Sequence, residues 1–371
     1  MSKRGNNEGS LTHRKDGRWE ASVSLGGGKR RRFYAATRQE ASRKLNEALR
    51  ARADRLPLLT DRLTVGAYLS NWLVGVKPTL RPGTWERYRQ YVELHAIPVI
   101  GGIPLVRLAP EHLEKLYADR LEAGLSPTTV GHLHAVCHRA FGEAARRGQM
   151  LRNPVDLVKR PRATRREMMA LSPEQARAFL DAARGDRYEG LYVLALTSGA
   201  RQGELLALRW DAVNLDAATL TVRATLRRTR DGFVFGEPKT ARSRRQIALT
   251  AVAVAALRRH RARQLAERLA QPYWQDETLV FASEVGTPLE ATNLIRRSFK
   301  PLLRKANVPD LRFHDLRHSF ASLMLAQNVN VKVISAALGH SQIGITLDLY
   351  SHITPTMERQ AVEALDAVLG G

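Results

Sequence analysis

The sequence predicts a mainly α protein with small β elements: an N-terminal β-sheet plus helix module, a helical bundle, and a mixed, mostly helical C-terminal domain. Three observations predict this. The 371 residues exceed one typical domain of ~100 to 150 residues and suggest two or three. Apolar residues recur at helical spacing through most of the chain. Alternating runs bounded by turn signals are short and confined to two places, near residues 19 to 34 and 219 to 249.

In residues 1 to 60 the run from Trp19 to Leu25 alternates, Gly26-Gly27-Gly28 follows, and the basic run Lys29 to Arg32 leads into Phe33-Tyr34. Two strands joined by a glycine turn explain the pattern. From Arg38 to Arg55 the residues are helix formers, with Ala41, Leu45, Ala48 and Leu49 at helical spacing. A solvated charged extension would be basic too, but Trp19, Phe33 and Tyr34 beside arginines favour a folded, DNA-contacting module.

Residues 61 to 158 read as four helices. Thr64 caps a first, carrying Tyr68, Leu69, Trp72 and Leu73, and Thr84 lies near the start of a second with Trp85, Tyr88, Tyr91 and Val92. Pro110-Glu111 opens a third with Leu113, Leu116 and Tyr117, and Ser126-Pro127 a fourth reaching about Arg147. Gly148 and Asn153-Pro154 end the bundle, and residues 159 to 170 read as a basic linker without apolar periodicity.

Residues 171 to 371 form the third segment. Ser172-Pro173-Glu174 starts a helix, and another at Leu191 to Thr197 stops at Ser198-Gly199. Strand-like runs follow at Thr219 to Leu226, Gly232 to Phe235 and Gln246 to Leu249, then helices near 250 to 270, 291 to 305, 315 to 327 and 355 to 369.

Charge narrows the partner. Lys and Arg number 59 against 36 Asp and Glu, a net charge of +23, which points to a polyanion and foremost to nucleic acid. A membrane surface would suit charge alone, but the apolar run Ala251 to Leu257 meets Arg258-Arg259 and is far short of the ~20 residues of a span. The start, Ser2 to Asn7, leads into no apolar h-region, so a soluble cytoplasmic protein is expected. Cys137, the single cysteine, excludes an intrachain disulfide and a cysteine-cluster metal site, and reads as a small buried hydrophobe.

Three segments carry candidate chemistry. In Thr197-Ser198-Gly199-Ala200-Arg201-Gln202-Gly203-Glu204-Leu205-Leu206 an arginine follows a turn and opens an apolar helix, where it can aim at an anion or simply pair with Glu204. In Arg312-Phe313-His314-Asp315-Leu316-Arg317-His318, His314 and Arg317 share a helix face and offer two phosphate donors, unless the segment is an ordinary helix start. Leu338-Gly339-His340 and the stretch to Asp348-Leu349-Tyr350 add a histidine and a tyrosine, and a lone tyrosine is more often packing than catalytic.

Together these residues resemble the tyrosine recombinase family of phage integrases and Xer-type recombinases, over roughly residues 170 to 355. That signature is a Gly-x-Arg-x-x-Glu-Leu turn, a hairpin lysine, His-x-x-Arg, a second histidine and a nucleophilic tyrosine; the matching residues are Arg201, Lys239, His314 with Arg317, His340 and Tyr350. The turn here reads Gly-Ala-Arg201-Gln-Gly-Glu-Leu, and Lys239 stands in Pro238-Lys239-Thr240 between two predicted strands. The resemblance implies a 3′-phosphotyrosine intermediate and a catalytic domain at 171 to 371. It also implies a helical core-binding domain at 61 to 158, a small arm-binding domain at 1 to 60, and a homotetramer assembled on double-stranded DNA carrying core and arm sites. Met357, Val362, Leu365 and Val368 lie near one face of a short tail helix, which docks on a neighbouring subunit or packs on its own domain.

The chemistry explains the residue types. A phosphodiester repels nucleophiles, and guanidiniums neutralise charge growing on its nonbridging oxygens, work for Arg201 and Arg317. A phenol with a pKa near ~10 is about one part in a thousand ionised at neutral pH, so His314 is the candidate base or orienter. The departing deoxyribose oxygen needs a proton, which the resemblance assigns to Lys239, with His340 on the phosphate. No cofactor and no metal are expected: no phosphate-binding Gly-x-x-x-x-Gly-Lys-Ser/Thr loop occurs, and His314, His318, His340 and His352 make a poor zinc set. A Xer-type resolvase and a non-catalytic architectural DNA-binding protein are the competing readings, and an accessory DNA-bending or directionality factor is compatible with the first.

Overall fold

A computed structural model describes residues 9–26, 29–53, 62–163, 168–229, 232–237 and 244–339, with single helical positions at 344, 366 and 369. The chain divides into two compact units, Met1–Arg165 and Arg166–Gly371. Among the described residues, no helix is long and apolar enough to cross a membrane.

The first unit begins with three antiparallel strands, β1 (Ser10–His13), β2 (Trp19–Gly26) and β3 (Lys29–Ala35), in the order β1-β2-β3. Sequence reading anticipated β2 and β3 but missed β1, whose four residues are too short and polar to show a period. One face of this sheet, with Ala21, Val23 and Ala35, buries against Ala41, Leu45 and Ala48 of α1 (Arg38–Ala53). The basic run alternates across the pleat, leaving Arg30, Arg32 and Tyr34 exposed on the other face.

The bundle has its own apolar core. Thr64 caps α2 (Val65–Val76) by accepting from the amide of Ala67 at 3.2 Å, and Ser126 caps α6 (Pro127–Arg146) through the amide of Thr129. α5 spans Pro110–Glu122. The second helix starts at Pro82, two residues before Thr84, because proline suits the first helical turn. It runs as α3 (Pro82–Gln90), a π-helical stretch Tyr91–Ala96, and α4 (Ile97–Ile100). Pro98 supplies the cause: it lacks an amide hydrogen, and its ring crowds the carbonyl four residues back, so the regular ladder widens there. Val65, Leu69, Leu113, Leu116, Leu133 and Phe141 fill the centre.

In the second unit, a capping box between Ser172 and Gln175 starts α7 (Pro173–Ala182). α8 (Glu189–Ser198), buried at every position but Thr197, ends where Gly199 turns left-handed at φ 61°. α9 (Gln202–Leu206) follows at once. The predicted strand Thr219 to Leu226 is in fact two: β5 (Thr219–Val222) joins β4 (Val213–Asn214) and β8 (Arg245–Ala248), while β6 (Thr225–Thr229) pairs with β7 (Gly232–Gly236).

The registers are nested, Val222 opposite Arg245 and Thr225 opposite Gly236, so eight residues of sequence, 237 to 244, separate β7 from β8 where only two, 223 and 224, separate β5 from β6. In sequence Lys239 falls between β7 and β8, not between β6 and β7, and it lies outside the described residues. α10 (Ala251–Ala270) then packs on α8. α11 (Ala291–Leu294), a π-helical stretch and α12 (Lys300–Lys305) repeat the proline effect at Pro301. α13 (Asp315–Ala326) and α14 (Val331–Leu338) close the described fold, with Leu191, Tyr192, Leu205, Phe281, Phe299 and Leu316 in its core. The predicted tail helix at 355 to 369 falls almost entirely outside the described residues.

Candidate active site

Arg317 explains why α8, α13 and α14 meet where they do. Its guanidinium is 4% exposed and donates to the carbonyl of Gly199 at 2.5 Å and to that of Leu338 at 2.6 Å. Both acceptors lie at helix C-termini, where carbonyls lack intrahelical partners and the helix dipole favours a cation. Gly199 has to be glycine: besides its positive φ, a Cβ would lie 2.6 Å from Cδ1 of Phe320 and 2.8 Å from Cδ2 of Leu338.

Arg201 approaches the same place from the turn after α8. The pairing with Glu204 that the spacing allowed is realised: Nη1 donates to Oε1 at 2.8 Å, and the Arg201 amide to Oε2 at 3.0 Å. The other end of the guanidinium reaches the carbonyl of Gly339 at 3.4 Å, and the side chain remains 39% exposed. Pairing with Glu204 is thus compatible with aim at an anion, since the carboxylate holds one edge of the fork and part of the group stays open to solvent.

The structure also recruits Arg245, which sequence reading passed over. It lies at the start of β8, on the inward side with Ile247, and its side chain is 7% exposed. Nε donates to the carbonyl of Ala337 at 2.7 Å and Nη2 to Oε2 of Glu204 at 2.9 Å. The usable signal was the strand period, which puts Arg245, Ile247 and Leu249 on one face. Three arginines thereby serve the carbonyls of Ala337, Leu338 and Gly339 in turn. Burial pushes the carboxyl of Glu204 up, but bonding and charge from Arg245, then Arg201, more than offset this and hold it below its ordinary value. Two guanidiniums bond this one buried carboxylate and a third, that of Arg317, bonds the adjoining helix end, which leaves the place strongly positive.

His314 precedes α13, three residues before Arg317, and its ring meets that of His318 edge to face with centroids 5.0 Å apart. The residue retains solvent contact. Burial of the ring, then the neighbouring His318 and Arg317, lower its imidazole to about 4, so it is neutral at pH 7 and able to accept a proton. Asp315 is tied to Arg312 and anchors the start of the helix. The structure thus brings Arg201 and Arg317 together with His314 on the same helix start; Lys239, His340 and Tyr350 lie outside the described residues.

Among the described residues, a cavity of about 840 Å³ is lined by Trp210, Asp211, Arg223, Arg258 and Arg261, and Arg201, His314 and Arg317 are not part of that lining. Among the described residues, no group of three His, Cys, Asp or Glu side chains is arranged to hold a metal ion.

Residues 170–357 match the family model described as the phage integrase family, and residues 64–121 match that of the phage integrase N-terminal SAM-like domain. An integrase from Streptomyces ambofaciens is 35% identical over 362 residues, covering 93% of this chain and 92% of that protein. A XerC-like tyrosine recombinase from Caldanaerobacter subterraneus subsp. tengcongensis is 29% identical over 361 residues, with 91% of each covered. The solved structure of the Tn1549 transposon integrase, in complex with a circular intermediate DNA, aligns at a TM-score of 0.68 and 20% identity over 80% of this chain and 99% of that one, a likeness of fold. Matched across half its length by the family model and along nearly all of it by a 35% identical integrase, the chain belongs to the phage integrase family, the tyrosine-type site-specific recombinases that cut and rejoin DNA.

Proposed function

We propose that the chain is the integrase of a phage or other mobile element, and that Arg201, Lys239, His314, Arg317, His340 and Tyr350 carry its chemistry. The observation that carries this reading is the convergence of Arg201 and Arg317 on the end of α14, from which the chain runs directly into His340. The phenolic oxygen of Tyr350 attacks the scissile phosphorus as its proton leaves toward His314. Arg201 and Arg317 neutralise the nonbridging oxygens, with His340 as a further donor. The bond from phosphorus to the 5′ oxygen breaks, and Lys239 gives that oxygen its proton. A 3′-phosphotyrosine link remains; attack on it by the 5′ hydroxyl of another strand reverses each transfer and reseals the DNA. Each step exchanges one phosphoester bond for another, so their number is unchanged and no cofactor enters.

A bound phosphate anion beside His314 raises the basicity of its imidazole, which makes the ring a better base in the complex than in the free protein. Double-stranded DNA is the partner, and exchange between two duplexes needs four cuts, which a homotetramer supplies. The domain reading follows: residues 1 to 60 hold arm sites, 61 to 158 and 171 to 371 clamp the core site, and 159 to 170 link them. An accessory DNA-bending or directionality factor fits such an assembly. The cytoplasm is where such DNA is met. The front module, with Arg30, Arg32 and Tyr34 on one open face, favours an integrase over a Xer-type resolvase.

Incubation with a nicked suicide substrate followed by a denaturing gel is the test. A covalent adduct is expected, and Tyr350→Phe abolishes it. An adduct that persists in that variant overturns the nucleophile.

A further inference from the structure

We propose that Arg245 is a positioning residue for strand cleavage, holding the guanidinium of Arg201 in place from behind without touching the DNA. The inference deepens the site reading above and rests on it. Arg201 has two supports: the carboxylate of Glu204, on one edge of its fork, and the C-terminal end of α14, on the other. Arg245 is bonded to both of them, to Oε2 of Glu204 at 2.9 Å and to the carbonyl of Ala337 at 2.7 Å.

The surroundings are shaped for this side chain. At Gly339, whose φ is 64°, a Cβ would lie 3.0 Å from Nη1 of Arg245 and 3.2 Å from its Cδ. The missing side chain lets the guanidinium lie against the end of α14. With its side chain 7% exposed, Arg245 is behind the site surface, whereas Arg201 reaches solvent. Along the chain, Arg245 stands six residues after Lys239, and the helix end that it grips leads into His340.

A planar fork is what the geometry requires. Its Nε and Nη2 donors serve two acceptors on different elements at once, which a lysine ammonium on a flexible stem does not reproduce. Without this bridge Glu204 is free to swing with Arg201, and a misplacement near 1 Å is enough to lower a transition-state interaction by about a hundredfold.

The experiment follows single-turnover adduct formation by the full chain on a nicked duplex, over a range of DNA concentrations, for Arg245→Gln and Arg245→Lys, each alone and combined with Arg201→Ala. Both Arg245 variants are expected to lower the maximal rate by about 10- to 100-fold, with the half-saturating DNA concentration within about twofold of native. In the Arg201→Ala background either change adds less than about threefold, because the group being positioned is gone.

Equal factors in the two backgrounds, or a native rate in either single variant, would overturn the inference. Failure of both variants to fold would do the same and leave Arg245 as a structural strut. Arg201→Ala alone separates the two levels: native cleavage there overturns the site reading and this inference with it, whereas slow cleavage with additive Arg245 effects overturns the inference only.

Discussion

Arg317 and Arg201 donate to the carbonyls of consecutive residues, Leu338 at 2.6 Å and Gly339 at 3.4 Å, although one comes from the first turn of α13 and the other from the turn before α9. Their environments differ. Arg317 is buried and clamps two helix ends, whereas Arg201 is part exposed and braced by a carboxylate.

That difference separates stability from catalysis. Arg317→Gln is expected to destabilise the protein by about 2 to 4 kcal/mol, since the buried carbonyls of Gly199 and Leu338 lose a charged donor. Arg201→Gln is expected to cost no more than about 1 kcal/mol, because its pair is part exposed and Glu204 keeps Arg245. Urea unfolding measures the first effect, and adduct formation should fall steeply for both variants. Equal stability losses would contradict the assignment.

Gly199→Ala tests the joint between α8 and α9. Forcing an alanine to φ 61° costs about 1 kcal/mol, and the close approach to Phe320 and Leu338 adds about 1 to 3 kcal/mol of overpacking. A melting temperature lowered by several degrees is expected. Gly124, at φ 87° with open space around it, should show only the smaller backbone cost under the same change.

Acid should weaken the fold before carboxylates titrate. Burial and neighbouring charge hold His314 at about 4, and burial also lowers His318 and His260 from the ordinary 6.5. The unfolded chain therefore binds protons between about pH 6.5 and 4 that the folded chain refuses, and stability falls as pH falls through that window. Glu204 and Asp315, held below their ordinary values, add a loss at still lower pH as they protonate. Melting curves from pH 7.5 to 5 should show a declining midpoint; a midpoint that rises would refute this sign.

Lys239 is tested through its leaving group. Lys239→Ala should slow cleavage of an ordinary substrate, while a 5′ bridging sulfur, whose thiol has a pKa near ~8.5, leaves without needing that proton. The variant should therefore cleave the sulfur substrate at close to the native rate. An equal defect on both substrates would remove the lysine from the acid role. Glu237 and Arg244, an exposed pair at 2.6 Å, are expected to contribute at most ~1 kcal/mol to stability.

Local rules made much of the fold legible. Proline and a capping side chain mark the starts of α6 and α7, and the glycine after Ser198 marks the end of α8. Where two local tendencies compete, the sequence is mute. Thr219 to Leu226 has one continuous β pattern, yet its two halves take different partners, because the two ladders are separated by two residues on this arm and by eight on the opposite one. β1 gained its place from edge pairing with β2, which no short window of residues reveals.

By itself the sequence determined most helix starts and stops, the positive charge and the residue types able to neutralise a phosphate, because periodicity, caps and formal charge are properties of neighbours along the chain. Tertiary structure alone decided that three arginines from three elements end on the carbonyls of Ala337, Leu338 and Gly339, and that Glu204 is shared by two of them. The physical reason is that unsatisfied helix-end carbonyls and a buried carboxylate draw donors through space, and the elements that supply them become neighbours only once the core has packed.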